Sequence, residues 1–170
     1  GGAVPNGANV FLGVNAGNFT MAAVGDVSQA SYNTGIGTLA LNGLTRGYRN
    51  VAIGDQALRY LTTGNDNLAL GTRSGLVVST GAQNTLIGSY SGYAVSTGSA
   101  NIAIGYSALG STSTTTGNVA VGHLAGLYAG SGTTGNTGSD YSVYLGYGSR
   151  ASAVNTDNEV VIGKNAIGPG

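Results

Sequence analysis

The stretch Asn50-Val-Ala-Ile-Gly54 recurs along the chain at a fixed step of 17 residues. Six copies follow one another without a slip, and they begin at Asn33, Asn50, Asn67, Asn84, Asn101 and Asn118. Less regular copies begin at Asn9, Ser142 and Glu159. A constant short period is typical of stacked units, each of which contacts only its neighbours. The sequence therefore predicts a solenoid.

A single repeat predicts two short strands and two turns. Its second and fourth positions are apolar, as in Val51 and Ile53, and a small residue, Ala52, lies between them. This alternation predicts a strand whose second and fourth side chains face the core. The twelfth position, as in Leu61, is apolar again and predicts a second strand, followed by a Ser/Thr-Gly turn. We therefore expect one domain over residues 1–170, an all-β parallel β-solenoid of about nine coils stacked about 4.8 Å apart.

The recurring asparagine and glycine each have a structural role in this arrangement. The asparagine amide can bond its own turn and the asparagine of the next coil, which predicts a ladder. The glycine at the fifth position permits a bend or a close approach of two backbones. The glycines concerned are Gly37, Gly54, Gly71, Gly88, Gly105 and Gly122.

Two steps of the repeat are 24 residues long instead of 17. They predict seven-residue loop insertions near residues 18–31 and 130–138. Insertions in solenoids emerge as loops that often carry binding, but drift near the ends of an array is equally tolerated. Both possibilities remain open from the sequence.

Composition excludes several classes of function. The 170 residues include 32 glycines and no cysteine, 7% are charged, and the net charge is zero. Thus there is no electrostatic footprint for nucleic acid, no disulfide framework and no thiolate metal site. No apolar run reaches the roughly 20 residues of a membrane span.

No pattern of catalytic residues stands out either. The single histidine, His123, is at a variable position that we expect to face solvent. The Gly130-Ser-Gly-Thr-Thr-Gly135 segment matches a dinucleotide-binding pattern but lacks the helix that the pattern requires. The few carboxylates are scattered, and Asp157 and Glu159 are a weak candidate for a cation site. We expect no enzymatic activity and no cofactor.

Tyrosine and arginine side chains are the best candidates for contact with a partner. An exposed tyrosine offers a flat apolar face and a hydroxyl, which suit sugar or protein surfaces. The same residues could instead pack between subunits, and the sequence does not separate the two possibilities. The candidates are Tyr48, Tyr60, Tyr90, Tyr93, Tyr106, Tyr128, Arg59 and Arg73, with Tyr147 at a similar position. Arg49 and Asp66 share a position on adjacent coils, which predicts an exposed ion pair.

The repeat resembles known fibre proteins. The segment Asn101-Ile-Ala-Ile-Gly-Tyr-Ser-Ala108 is similar to the head repeats of trimeric autotransporter adhesins and, more closely, to repeat arrays of bacteriophage tail fibres. The segment from Asn158 to Gly168 is similar to the last coils of such fibres. Autotransporter heads use a shorter repeat than 17, which favours the tail-fibre resemblance.

That resemblance implies a left-handed β-roll in which three chains wind about a common axis. It also implies a location outside the cell or on the virion surface, and a role in attachment. The expected partners are two further copies of the chain and a cell-surface glycan or protein receptor, without nucleic acid or membrane insertion.

Two other classes of function are weighed against this one. An enzyme acting on polysaccharides would need acids, histidine or lysine clustered along one face. An ice-binding solenoid would need a flat threonine array, and the columns Thr62/Ser79/Ser96/Ser113 and Thr63/Thr80/Thr97/Thr114 are regular but narrow. If the fourth position faces the core, Ile104→Asp is expected to abolish folding.

Overall fold

A computed structural model describes residues 9–18, 30–131 and 133–169. Its main feature is one parallel sheet of nine three-residue strands. The strands are β1 (Val10–Leu12), β2 (Thr34–Ile36), β3 (Val51–Ile53), β4 (Leu68–Leu70), β5 (Thr85–Ile87), β6 (Ile102–Ile104), β7 (Val119–Val121), β10 (Val143–Leu145) and β11 (Val160–Ile162). Two further strands, β8 (Tyr128–Ala129) and β9 (Thr134–Gly135), form a separate antiparallel pair.

The register of the sheet follows the repeat. Val51 pairs with Leu68, Ala52 with Ala69 and Ile53 with Leu70, so residues 17 apart lie side by side. Across the longer step, Val119 of β7 pairs with Val143 of β10. The prediction of an all-β solenoid with stacked 17-residue coils is confirmed, and the nine strands span eight turns.

The second predicted strand is wrong. Leu44, Leu61, Val78 and Val95 at the twelfth position are fully buried, but none lies in a strand. The Leu61 amide donates to the carbonyl of Leu58 in its own coil at 3.1 Å, so it belongs to a tight turn. The apolar signal at this position reflects burial alone.

The predicted orientation of the strands is also wrong. Ala52, at the third position, is fully buried, whereas Ile53 at the fourth is 39% exposed. The same holds in β6, where Ala103 is buried and Ile104 is 36% exposed. Alternation identifies two faces of a strand without saying which is inside. Here the third side chain lies inside, and the aliphatic second and fourth side chains lie outside.

The interior of each coil contains few side chains, and their sizes are matched. In the coil that begins at Asn50 they are Ala52, Ala57, Leu58 and Leu61, each with zero exposure. Where Leu86 replaces the small third residue, glycine occupies the ninth position both in its own coil, as Gly92, and in the preceding coil, as Gly75. A Cβ at Gly92 would lie 2.6 Å from Leu86 Cδ2, so the larger leucine depends on the glycine. Closely packed protein interiors of this kind tolerate little change in the volume of a side chain.

The asparagines form a continuous buried ladder, as predicted. Asn50 Oδ1 accepts hydrogen bonds from the backbone amide of Asn67 at 3.0 Å and from its side-chain amide at 3.0 Å. The second proton of each amide is donated to a turn carbonyl, as from Asn50 Nδ2 to Gly64 O at 2.9 Å. The ladder runs from Asn9 to Asn118 and ends at Ser142, whose backbone amide donates to Asn118 Oδ1 at 2.9 Å.

The glycine after each strand permits a close approach of neighbouring backbones, also as predicted. Gly54 has φ of 139°, and a Cβ there would lie 2.5 Å from the carbonyl oxygen of Gly71. The same arrangement recurs at each coil as far as Gly146. The contact fixes the spacing of the stack, because any side chain would push the coils apart.

Of the two predicted insertion regions, the structure describes mainly the second. Most of the segment near 18–31 falls on residues 19–29, which lie outside the described residues. In the segment 130–138, β9 folds back on β8, with Tyr128 opposite Gly135. The chain then rejoins the solenoid, because Asn118 Nδ2 donates to Ser139 O at 2.7 Å.

Candidate binding surfaces

The first candidate surface is an apolar strip on the outside of the nine-stranded sheet. It consists of the side chains at the second and fourth positions of the repeat, which are the first and third residues of every strand. Sixteen of these eighteen residues are aliphatic and the other two are Thr34 and Thr85. The most exposed lie at the ends, such as Leu12 at 66% and Ile162 at 68%. Because neighbouring strands lie about 4.8 Å apart, the strip is about 40 Å long.

The second candidate surface is a column of stacked rings, which we call the aromatic column. It consists of Tyr90, Tyr106, His123 and Tyr147 on four successive coils. The Tyr106 and His123 ring centroids are 5.2 Å apart with planes at 17°, and those of His123 and Tyr147 are 5.0 Å apart with planes at 3°. Tyr90 meets the Tyr106 ring edge-on at 5.8 Å. The rings on the surface therefore stack in the same direction as the coils that carry them.

A cationic side chain lies at each end of the aromatic column. The Arg73 guanidinium carbon is 5.8 Å from the centre of the Tyr90 ring, and Arg73 Nη1 donates to the Tyr90 hydroxyl at 3.4 Å. At the other end, Lys164 Nζ is 6.0 Å from the centre of the Tyr147 ring. Both distances are within the range of a cation–π interaction. Neither cation forms an ion pair with any residue that the structure describes.

The local sequence accounts for the meeting of these rings. The sixth position of the coil, directly after the glycine that follows each strand, is shared by Tyr106, His123, Tyr147 and Lys164. In earlier coils this position holds Thr38, Asp55, Thr72 and Ser89. His123 is exposed, as predicted, but it stacks between two tyrosines. Aligning the coils across the 24-residue step would have placed Tyr147 beside it.

Except for Tyr93, which is beside the column, the other candidate residues lie apart from it in local pairs. Arg59 lies over the Tyr60 ring at 5.0 Å and Arg49 over Tyr48 at 4.7 Å. Tyr128 lies under Arg150 at 6.0 Å, and Tyr93 is beside Tyr90 at 5.7 Å. None of the predicted tyrosines is buried in the single chain. The structure thus brings together Tyr90, Tyr93, Tyr106 and Arg73 and leaves Tyr48, Tyr60, Tyr128 and Arg59 elsewhere.

The predicted ion pair is present on the surface. Arg49 Nε lies 2.7 Å from Asp66 Oδ1, and the two side chains are 58% and 36% exposed. Pairs exposed to this degree contribute about 0–1 kcal/mol, since water screens them.

The hydroxyl columns are partly engaged in the fold. Thr62 Oγ1 donates to the Ser79 carbonyl at 2.9 Å, and Ser79 Oγ donates to the Ser96 carbonyl at 3.1 Å. The neighbouring column of Thr63, Thr80, Thr97 and Thr114 is exposed but only one residue wide. This geometry gives no broad threonine plane of the kind that the ice-binding alternative needs.

Most of the acidic side chains that the structure describes accept hydrogen bonds from backbone amides. Asp140 Oδ1 accepts from the Thr116 amide at 2.6 Å, and Asp157 Oδ1 accepts from the Asp140 amide at 2.8 Å. The Glu159 carboxylate accepts from the Ser152 amide at 3.0 Å. Among the described residues there is no cluster of three or more histidine and acidic side chains that could hold a metal ion. Within the same ranges, no helix has the length and apolar character to cross a membrane.

Tyr144 has a raised pKa, and its side chain is fully buried. Burial raises the pKa of its hydroxyl above the ordinary 10.0, while side-chain hydrogen bonding with Ser142, Ser139 and Asn136 opposes the rise. The hydroxyl accepts from Asn136 Nδ2 at 3.3 Å, and Asn136 Oδ1 accepts from Ser139 Oγ at 2.8 Å. This network attaches the chain after the 130–138 segment to the interior of the solenoid.

No family model, no curated protein and no solved structure matches this chain. The fold itself defines the class of protein, a parallel β-solenoid with 17-residue coils.

Proposed function

We propose that this chain is a non-enzymatic segment of a homotrimeric extracellular fibre that presents a surface to a receptor on a cell. The observation that carries the proposal is the apolar strip. A soluble single chain rarely leaves a long contiguous aliphatic surface in contact with water. Sixteen aliphatic side chains in register along about 40 Å of rod form a surface suited to parallel copies of the same chain.

The choice of three copies is supported by the resemblance of the repeat to tail-fibre and adhesin repeats. Geometry is compatible with it, because three narrow strips can face one axis and each then meets two equivalent partners. A thin coil also buries little apolar area by itself, so association adds stability that the single chain lacks.

The first experiment measures the mass of the native protein by light scattering after size exclusion. We expect three times the 16.6 kDa of one chain. A particle with the mass of one chain would contradict the proposed fibre, because the strip would then be tolerated in water.

A matched pair of variants tests whether the strip is the contact. Ala103 is fully buried, so Ala103→Asp places a charge inside the coil and should prevent folding. Ile104 is its neighbour on the strip, so Ile104→Asp should retain the β-sheet circular dichroism of the solenoid but lower the mass to that of one chain. A trimeric Ile104→Asp variant would exclude the strip as the interface.

Attachment to cells is tested in a separate experiment with the intact protein. Labelled trimer is incubated with a panel of bacterial cells, and retention after washing is compared with that of the Ile104→Asp variant. We expect the trimer to be retained more strongly on some cells, because three linked sites raise the effective affinity. Equal, background-level retention of both proteins on every cell type would leave a structural rod without an attachment role.

A further inference from the structure

We propose that the aromatic column, with Arg73 and Lys164 at its ends, binds an extended anionic polysaccharide that runs parallel to the rod. This inference names a ligand class for the receptor-binding role proposed above, and it rests on that role.

The fold does not require the aromatic column. The sixth position holds threonine, aspartate or serine in the coils before Tyr106, and those coils have the same strands, register and asparagine ladder. The tyrosines of the column are also only partly covered, with Tyr106 at 48% and Tyr147 at 49% exposure. Large aromatic side chains left half in water without a folding requirement are characteristic of contact surfaces.

The shape of the column favours a linear ligand. Arg73 and Lys164 are on coils five steps apart, so the column with its cations is about 24 Å long. It is only one or two side chains wide along this length. A protein partner would need about 800 Å² of surface on each side, which such a narrow feature does not supply. A single polymer chain can follow it from end to end.

The packing of the rings decides how a ligand would be recognised. The faces of Tyr106, His123 and Tyr147 are turned toward one another at 5.0–5.2 Å, so the middle of the column offers ring edges. Stacking of nucleic-acid bases needs free ring faces, which disfavours a single-stranded nucleic acid. These rings carry phenolic O–H and imidazole N–H groups at their edges, and such groups are hydrogen-bond donors. The matching ligand is rich in oxygen acceptors.

The charges favour an anionic ligand. Arg73 and Lys164 have no carboxylate partner among the described residues, and only the rings hold them. Asp55 lies one coil beyond Arg73, and its Oδ2 accepts from Gln56 Nε2 at 3.0 Å. An acidic group on the polymer would form a charge-assisted hydrogen bond with either cation. Because neighbouring rings hold each other in place, little side-chain entropy is lost on binding.

The test uses two soluble probes, a hexamer of galacturonic acid and the neutral maltohexaose, measured by calorimetry on the intact protein. We expect binding of the acidic hexamer that weakens with added salt, and at least about tenfold weaker binding of the neutral one, because charge-assisted hydrogen bonds are the stronger kind. Equal affinity for both probes, or no heat from the acidic probe, would overturn the proposal.

The site is located with a variant that copies the chain's own earlier coils. Tyr106→Ser, His123→Thr and Tyr147→Thr together replace the column by residues of the kind found at Ser89, Thr72 and Thr38. We expect the affinity for the acidic hexamer to fall at least about tenfold, since several donors are removed at once. The control is Tyr60→Ser, because Tyr60 has similar exposure and its own arginine but lies outside the column. A similar loss in the control would overturn the assignment.

The cations are tested by Arg73→Gln with Lys164→Gln, which should reduce both the affinity and its salt dependence. The mass of the column variant is measured alongside. If that variant alone loses its trimeric mass, the rings are subunit contacts and the inference fails while the fibre stands. If the unaltered protein has the mass of one chain, the proposed function fails whether or not the hexamer binds.

Discussion

The six coils that begin between Asn33 and Asn118 differ from the two that begin at Ser142 and Glu159 in what connects each coil to the next. In the first group an asparagine amide joins every step of the stack. In the second, Ser142 Oγ accepts only the Glu159 backbone amide, at 3.1 Å. There the interior contains Tyr144, the largest fully buried side chain of the described chain. The regular coils are thus characterised by the buried asparagine ladder. Where the ladder ends, a large aromatic side chain fills the interior instead.

The largest effect is expected from removing one step of the ladder. Asn84→Ala deletes donors to Asn67 Oδ1 and Gly98 O and the acceptor for Asn101, all of them buried. About three buried groups lose a partner, at about 1–3 kcal/mol each, so we expect a loss of roughly 3–9 kcal/mol. Chemical denaturation monitored by circular dichroism measures it.

Ser142→Ala is the matched change in the second group. It leaves the Glu159 amide without its acceptor, and we expect a loss of about 1–2 kcal/mol. Losses of equal size in the two variants would show that the ladder has no special part in the regular coils.

The next effect separates backbone strain from contact between coils. Gly88 and Gly163 have similar φ values, 121° and 128°. A Cβ at Gly88 would lie 2.7 Å from the Gly105 carbonyl oxygen, whereas at Gly163 the nearest atom would be 3.7 Å away. We expect Gly88→Ala to destabilise by about 3 kcal/mol and Gly163→Ala by about 1–2 kcal/mol, the cost of the conformation alone. Similar melting temperatures for the two variants would refute a role for close approach.

Much of this regular architecture could be predicted from the sequence. The 17-residue step indicates the stacking and the register directly. An asparagine and a glycine repeated at that step, such as Asn50 and Gly54, are typical of a side-chain ladder and of closely approaching backbones. For these residues, the residue type and the spacing together indicate the structure. Predicting the parallel sheet therefore required no knowledge of side-chain packing.

The faces of the strands and the aromatic column could not be predicted in the same way. Ile53 and Ala52 alternate, and alternation alone does not say which of the two is inside. His123 looked isolated because its neighbours are 17 and 24 residues away, and the longer step broke the pattern. The irregular copy that begins at Ser142 marks where the chain returns, so the coils had to be aligned across the insertion to bring Tyr147 beside His123.

A smaller effect concerns the C-terminal coils, and it depends on pH. Since burial raises the pKa of Tyr144 above 10.0, the folded protein retains that proton at pH values where the unfolded chain loses it. Stability is then complete below about pH 10 and falls as the pH rises further, because the unfolded state binds fewer protons. Denaturation between pH 8 and 11 should show this fall. In Tyr144→Phe it should be weaker, and an unchanged profile would exclude Tyr144 as its source.

The smallest effect lies on the surface of the regular coils. Arg49 and Asp66 are paired at 2.7 Å but exposed, so the pair should contribute less than about 1 kcal/mol. A double-mutant cycle with Arg49→Gln and Asp66→Asn isolates this term, and added salt should reduce it. Arg49 also lies over Tyr48, so the single change at Arg49 should cost slightly more than the change at Asp66. A coupling above about 2 kcal/mol would mean that water is excluded from the pair, as it would be if this edge of the coil were covered by another copy of the chain.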